Sequence, residues 1–188
     1  MRHRYATKAI ALKRYPLSEA SAGIVLLTDE LGLVHARAQS VRKQGAKLAC
    51  ALQTFTESDV ILLRGKESWR ISGAVLDTSW FSLLGVAERE RAGRVAGFLL
   101  RLAPCESIDS RFFHIMRDFF QALVDMPENL HDSAECLVSL RFLRILGLDA
   151  GELPVVNNDN VVQVLETIEK NRGVYIARIN HGITASGL

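Results

Sequence analysis

The chain has 188 residues, of which 48% are hydrophobic and 23% are charged, and its formal net charge is +2. This composition is typical of a globular protein with a sizeable core, and no uncharged apolar run approaches the length of a membrane span. The basic N-terminus lacks the continuous apolar segment of a secretion signal, so we expect a cytoplasmic protein.

The charge is distributed unequally along the chain. Residues 1–80 carry twelve Lys/Arg and seven Asp/Glu, a net charge of +5, whereas residues 81–188 carry eleven and fourteen, a net charge of −3. A basic front half favours a polyanionic partner, and a mildly acidic back half favours protein contacts. We therefore predict two domains, 1–80 and 81–188, with different partners.

Five segments of the front half have the Ile, Val and Leu content of β-strands and are separated by turn residues. They cover residues 8–14, 23–28, 33–39, 56–64 and 68–77. In the third segment Val34, Ala36 and Ala38 share one face, and Arg37 lies on the other, which we expect to be exposed. Five short strands within the first 80 residues predict a small barrel of the OB type.

A basic loop follows the third strand. It contains Arg37, Arg42, Lys43 and Lys47 within eleven residues, and no Asp or Glu occurs between Arg37 and Phe55. Such a loop binds phosphate and sugar oxygens without reading the base sequence. It is the first candidate for a polyanion site, and a solvated surface loop without a ligand is the alternative.

Three aromatic residues of the predicted barrel are candidates for stacking against nucleic-acid bases: Tyr15, Phe55 and Trp69. Trp69 shares a strand face with Ile71, and Phe55 closes an apolar run. A position in the core is therefore favoured for Trp69 and Phe55.

Beyond residue 80 the apolar residues recur with a helical period. We predict four helices, around residues 86–102, 112–124, 132–146 and 161–168. Pro104 ends the first, Asp109 caps the second, and Asp132 to Glu135 fit a capping box for the third. After Gly173 we expect one or two further helical turns. The predicted fold class is α+β, a five-stranded OB barrel followed by a helical domain.

The cysteines give no sign of a metal site or a disulfide framework. Cys50, Cys105 and Cys136 are odd in number and widely separated, without a CxxC pair. Cys136 and His131 form a possible thiol–imidazole pair, but a buried structural cysteine is the commoner case. The aromatic stripe at 112–124 is typical of a helix core. We therefore predict no catalytic residue, no metal and no cofactor.

The series of features in the front half resembles the bacterial recombination mediator RecO. The first three strands match that family's pattern at Ile10, Leu12, Lys13, Leu17, Glu19, Thr28, Gly32 and Leu33. The family's Lys/Arg-rich loop and the segment after it correspond to residues 39–47 and 52–55. Ser40 and Ala46 replace the glycine and serine of that loop. Residues 148–154 stand where many members carry a four-cysteine zinc module, so the chain resembles a short form without that site.

The resemblance implies a non-enzymatic mediator of DNA repair and recombination, associated with the bacterial nucleoid. RecO-like proteins bind single- and double-stranded DNA, anneal strands, bind the acidic C-terminal tail of the single-strand DNA-binding protein, and act with RecR to load the recombinase RecA. The DNA-binding residues so implied are Lys13, Arg14, Arg37, Arg42, Lys43, Lys47 and Arg70. An apolar groove between helices with an arginine at its rim would suit the acidic tail, and Arg141 and Arg144 are the candidates.

The alternative is an OB-fold adaptor that binds protein or RNA without mediator activity. Salt-insensitive binding to a protein partner with negligible binding to single-stranded DNA would favour it. A mediator that has lost one activity of the family also stays open.

Overall fold

The computed structural model describes residues 3–39, 48–65, 68–103, 109–154 and 161–187. The chain divides into two compact units, one formed by residues 1–83 and 104–114 and the other by residues 84–103 and 115–188. A β-barrel makes up most of the first unit, and helices make up the second. The predicted α+β fold class is confirmed.

Five strands form a closed barrel. They are β1 (Arg4–Pro16), β2 (Ala22–Thr28), β3 (Gly32–Ala38), β4 (Thr56–Arg64) and β5 (Trp69–Ser79). The order around the barrel is β1-β2-β3-β5-β4, and β1 closes the ring by pairing with β4. Every pair is antiparallel except β3 with β5, which is parallel. The predicted OB-type barrel is confirmed.

Side chains from all five strands fill the interior of the barrel, among them Ala9, Ile24, Val34, Leu62 and Ile71. Trp69 belongs to the same core and contacts Tyr5 edge-on, with 5.3 Å between the ring centroids. Trp69 and Phe55 are only 5% and 6% exposed. Their predicted core positions are confirmed, and burial removes both as stacking platforms.

The helices are α1 (Trp80–Leu83), α2 (Val86–Leu102), α3 (Arg111–Asp125), α4 (His131–Ile145), α5 (Val161–Lys170) and α6 (Arg172–Ala185), with a short 3-10 turn at Glu128–Leu130. In the second unit α4 is central, because it packs against α2, α5 and α6 and buries most of its residues. The predicted cap of α3 is confirmed, since Asp109 Oδ1 accepts a hydrogen bond of 2.9 Å from the Arg111 N–H. None of the described helices is long and apolar enough to cross a membrane.

Two predictions about the helices are wrong. The first is the capping box, because α4 already begins at His131, continuing the 3-10 turn, and Leu130 occupies the cap position without a side-chain hydrogen bond. Asp132 and Glu135 lie inside the helix and form ion pairs with arginines of other helices. Charge-assisted hydrogen bonds to guanidinium groups are strong, and here they bind the carboxylates that a capping box would use. The 3-10 turn runs directly into α4, so the helix begins without a side-chain cap.

The second wrong prediction concerns the tail, which forms the fourteen-residue helix α6 instead of one or two turns. Its two glycines weaken the helical signal in the sequence. Gly182 is buried, and a Cβ at this position would lie 2.9 Å from Leu143 Cδ1. The close approach of α6 to α4 therefore needs this glycine, and packing stabilises a helix that propensity alone does not predict. Pro104, predicted to end the first helix, lies outside the described residues.

Candidate nucleic-acid interface

Basic side chains gather on one part of the barrel surface. The backbone pairing places Tyr15 of β1 beside Gly23 of β2, Gly23 beside Arg37 of β3, and Arg37 beside Arg70 of β5. These four residues form a row across four adjacent strands. We call the surface around this row, with Lys13 one step along β1, the basic face.

The alternation of β3 places Arg37 on this face. Val34, Ala36 and Ala38 are buried in the barrel core, whereas His35 and Arg37 are exposed. The period-two prediction for this strand is therefore confirmed, and it follows from the opposite directions of successive side chains in a strand.

A β-bulge brings Lys13 and Tyr15 to the same face. The pairing of β1 with β2 shifts between Ala11 and Lys13, so Leu12 is the extra residue. Ala9 and Ala11, before the bulge, point into the barrel core. Without the bulge, Lys13 would follow them inwards; with it, Lys13 is exposed and pairs opposite Val25. The sequence analysis missed this bulge, because residues 9–12 are all apolar and show no alternation that a bulge could interrupt.

No acidic residue occurs in the strand segments that build the basic face, which are residues 12–16, 22–28, 32–38 and 69–76. The acidic strand residues lie elsewhere on the barrel. Lys8 Nζ is 2.7 Å from Asp77 Oδ2 and 3.8 Å from Asp59 Oδ1, which neutralises that part of the surface. The charged residues of the described strands are thus segregated, and the strand segments of the basic face carry cations without carboxylates.

The two arginines of the row are neighbours of like charge. Gln39 Oε1 accepts a hydrogen bond of 2.9 Å from Arg70 Nη2, which orients that guanidinium. Within the described part of the chain, no carboxylate lies within ion-pair distance of Arg37 or Arg70. Like charges on adjacent strands destabilise a sheet. A bound polyanion would relieve that repulsion.

Four of the seven predicted DNA-binding residues are described. Lys13, Arg37 and Arg70 share the basic face, and Arg14 lies at its margin, where it lines a recess together with Tyr15. Arg42, Lys43 and Lys47 lie outside the described residues, so their part in the site stays a prediction.

The two arginines predicted for partner binding occupy different surroundings. A groove of about 350 Å³ lies between α3, α4 and α5, and Arg141 lines it with mostly apolar neighbours, including Phe119, Leu137, Val138 and Leu165. Asp118 and Asp125 also line the groove. Arg144 is exposed and is not part of its wall.

A cluster of ion pairs joins helices of the second unit. Arg91 pairs with Asp132, and Arg94 Nη2 lies 2.7 Å from Glu135 Oε2, so α2 is tied to α4. Arg172 of α6 also binds Asp132. Burial acts to raise the pKa of Asp132, but the two guanidinium groups outweigh it and hold that pKa below its ordinary value. Arg91 and Arg94 thus hold helices of the second unit together.

The possible thiol–imidazole pair is not formed. Cys136 is buried, and burial raises the pKa of its thiol, which disfavours a nucleophilic thiolate. His131 Nε2 is 2.9 Å from the carbonyl oxygen of Met126, and its Nδ1 is 3.4 Å from Glu88 Oε1, so both ring nitrogens face groups other than the thiol. Among residues with described positions, no group of three or more His, Cys, Asp or Glu could hold a metal ion.

Comparison with known proteins relates this chain to recombination proteins. Residues 1–79 match the family described as "Recombination protein O N terminal". These residues include the whole barrel and all the residues of the basic face.

Similarity to curated proteins named "DNA repair protein RecO" extends beyond the barrel. The chain is 37% identical over 147 residues to one from Dehalococcoides mccartyi, and the alignment covers 76% of this chain and 54% of that protein. It is 31% identical over 157 residues to one from Heliobacterium modesticaldum, covering 79% and 56%. One from Trichodesmium erythraeum is 27% identical over 143 residues, covering 76% and 48%. The chain spans about half the length of these relatives.

Proposed function

Because residues 1–79 of the chain match the recombination protein O N-terminal family, we propose that this protein is a RecO-like mediator in DNA repair. Its relatives carry the name of a DNA repair protein. The barrel is the proposed DNA-binding domain, and the helical region, residues 81–188, is proposed for protein contacts with a share in DNA binding.

The observation that carries the proposal is the segregation of charge on the barrel. Lys13, Arg37 and Arg70 lie on the basic face, and the strand segments that build this face contain no carboxylate. Cations in such a row neutralise phosphates and release counterions, which supplies affinity for any base sequence. Three phosphate contacts correspond to a slope of log affinity against log salt of about −2 for a single strand and about −3 for duplex DNA.

We assign strand annealing to the same surface and recombinase loading to the protein as a whole, and annealing on a cationic surface needs no catalytic group. Two complementary strands repel each other, and a cationic surface that holds both screens that repulsion. Neither binding DNA nor annealing it requires a nucleophile or a metal, so the proposed role is non-enzymatic. The buried Cys136 offers a check: if Cys136→Ser lost DNA binding or annealing in a folded protein, the thiol would have a role that this proposal does not contain.

For protein partners, we assign the groove between α3, α4 and α5 to the acidic C-terminal tail of the single-strand DNA-binding protein. An apolar groove with a guanidinium at its wall fits an apolar side chain and the carboxylate of such a tail, whereas Asp118 and Asp125 in the same groove oppose further acidic residues. Arg141 is the cation in that position. RecR and, through it, RecA are the remaining proposed partners.

The test is fluorescence anisotropy of a labelled single-stranded oligonucleotide over a salt series, with the wild type and Arg37→Ala/Arg70→Ala. We expect the double variant to bind more weakly and to reduce the magnitude of the salt slope by about 1 to 2. Arg101→Ala/Lys170→Ala removes the same charge from exposed positions on α2 and α5 and is the matched control.

Absence of binding by the wild type at low salt would overturn the proposal and favour an adaptor that binds protein. Equal loss in the two double variants would show that the basic face has no special role in DNA binding.

A further inference from the structure

Tyr15 lies in an unusual position at the edge of the basic face. Its backbone pairs with Gly23 on β2. A Cβ added at Gly23 would overlap the Tyr15 ring and lie 2.7 Å from its hydroxyl. The hydroxyl end of the ring therefore lies directly over the glycine backbone. Any larger residue at position 23 would clash with the ring in this position.

The ring extends from β1 over Gly23 of β2. Gly23 lies between Tyr15 and Arg37 in the same row of the sheet, with Arg70 next in line. The Cζ and hydroxyl end of the ring lies over Gly23, and Tyr15 nevertheless keeps an intermediate exposure to solvent.

Space for a planar group adjoins the ring. A recess of about 260 Å³ is lined by Arg14, Tyr15, Pro16 and Ala22. The recess adjoins Tyr15, and Arg37 and Arg70 follow Gly23 in the same row of the sheet. Proteins commonly bind single-stranded nucleic acids with an aromatic ring next to cations, because bases stack on the ring while phosphates contact the charges.

We propose that the Tyr15 ring, held over Gly23, is a stacking platform for one unpaired base, and that it gives the basic face a preference for single-stranded over duplex DNA. This inference rests on the proposed DNA-binding function. In a duplex both faces of each base are already stacked, so a duplex contacts the basic face through its phosphates alone.

Tyr15→Leu removes the ring but keeps an apolar side chain over Gly23, and Tyr15→Phe keeps the ring. We expect Tyr15→Leu to weaken single-strand binding about tenfold, with the salt slope unchanged because no phosphate contact is lost. Tyr15→Phe should bind within about twofold of the wild type, and all three proteins should bind duplex DNA equally. Gly23→Ala, which displaces the ring without removing it, should behave like Tyr15→Leu.

A second readout locates the stacked base directly. An oligonucleotide with 2-aminopurine at successive positions should lose fluorescence at one position when the wild type binds, and Tyr15→Leu should abolish that loss. Thermal unfolding of each variant checks that it is folded.

The outcomes separate the two proposals. If the wild type binds no DNA, both fail. If the wild type binds with a steep salt slope but Tyr15→Leu and Gly23→Ala leave single-strand affinity unchanged, the platform is wrong and the basic face stands. An equal loss of affinity for single-stranded and duplex DNA would also overturn the platform, because it would mean that Tyr15 acts only by stabilising β1.

Discussion

Gln39 Oε1 accepts a hydrogen bond of 2.9 Å from Arg70 Nη2, and this bond joins the end of β3 to the start of β5. An uncharged acceptor orients the guanidinium without neutralising it, so the positive charge stays available to a phosphate. The parallel pairing of β3 with β5 covers only the residues next to this bond.

We expect Gln39→Glu to weaken DNA binding more than Gln39→Ala does. A carboxylate at this position would form an ion pair with Arg70 and repel phosphate, so the magnitude of the salt slope should fall by about 1. Anisotropy titrations at several salt concentrations measure the slope. Wild-type binding by Gln39→Glu would mean that Arg70 does not contact DNA.

Arg141 and Arg144 lie three residues apart on α4, but only Arg141 lines the groove. We expect Arg141→Ala to weaken binding of an acidic peptide with apolar C-terminal residues by about tenfold, since a charged hydrogen bond contributes roughly 1.5–3 kcal/mol. Arg144→Ala is the matched control and should bind within about twofold. Calorimetric titration with the peptide distinguishes them, and similar losses in both variants would move the partner site out of the groove.

The Asp149–Arg178 pair should make stability depend on pH. Hydrogen bonds from Arg178, opposed by burial, hold the pKa of Asp149 below its ordinary value of 3.8. The pKa is lower in the folded state than in the unfolded state, so the stabilisation is complete above the unfolded value and is lost as pH falls through the folded value. The free energy of unfolding should therefore decline below about pH 5.

Asp149→Asn should lower the free energy of unfolding at pH 7 by about 2 kcal/mol and flatten its decline in acid. Urea unfolding at a series of pH values measures both effects. Asp109→Asn, which breaks the exposed pair with Arg111, should change stability much less. If the two variants lose the same stability, burial of the Asp149 pair has no special effect.

Two helical glycines should respond oppositely to alanine. Gly182→Ala would place a Cβ 2.9 Å from Leu143 Cδ1 and 3.2 Å from the Leu148 carbonyl oxygen, and should destabilise the protein by about 1–3 kcal/mol. At Gly97 of α2 a Cβ would meet nothing within 4 Å, so Gly97→Ala should stabilise by roughly 0.5–1 kcal/mol. Chemical denaturation measures both changes. A stabilising Gly182→Ala would show that α6 can move away from α4 without cost.

Local periodicity predicted those parts of the protein that depend on neighbouring residues in the chain. The alternation of Val34, Ala36 and Ala38 with Arg37 identified the exposed side of β3 correctly, because successive side chains of a strand point in opposite directions. The apolar spacing likewise predicted α2, α3 and α5, whose buried faces lie at helical intervals.

Other features depend on residues that are distant in the sequence, and only the tertiary structure decided them. The bulge at Leu12, the placing of Arg37 beside Arg70, and the cover of Tyr15 over Gly23 all follow from which strands pair and in what register. Asp132 has the sequence of a helix cap, but arginines of α2 and α6 bind it inside α4. By itself the sequence determined the strands, most helices and the basic character of the front half. Pairing and packing decided which basic side chains meet, because contact free energies between distant segments leave no periodic signal in the sequence.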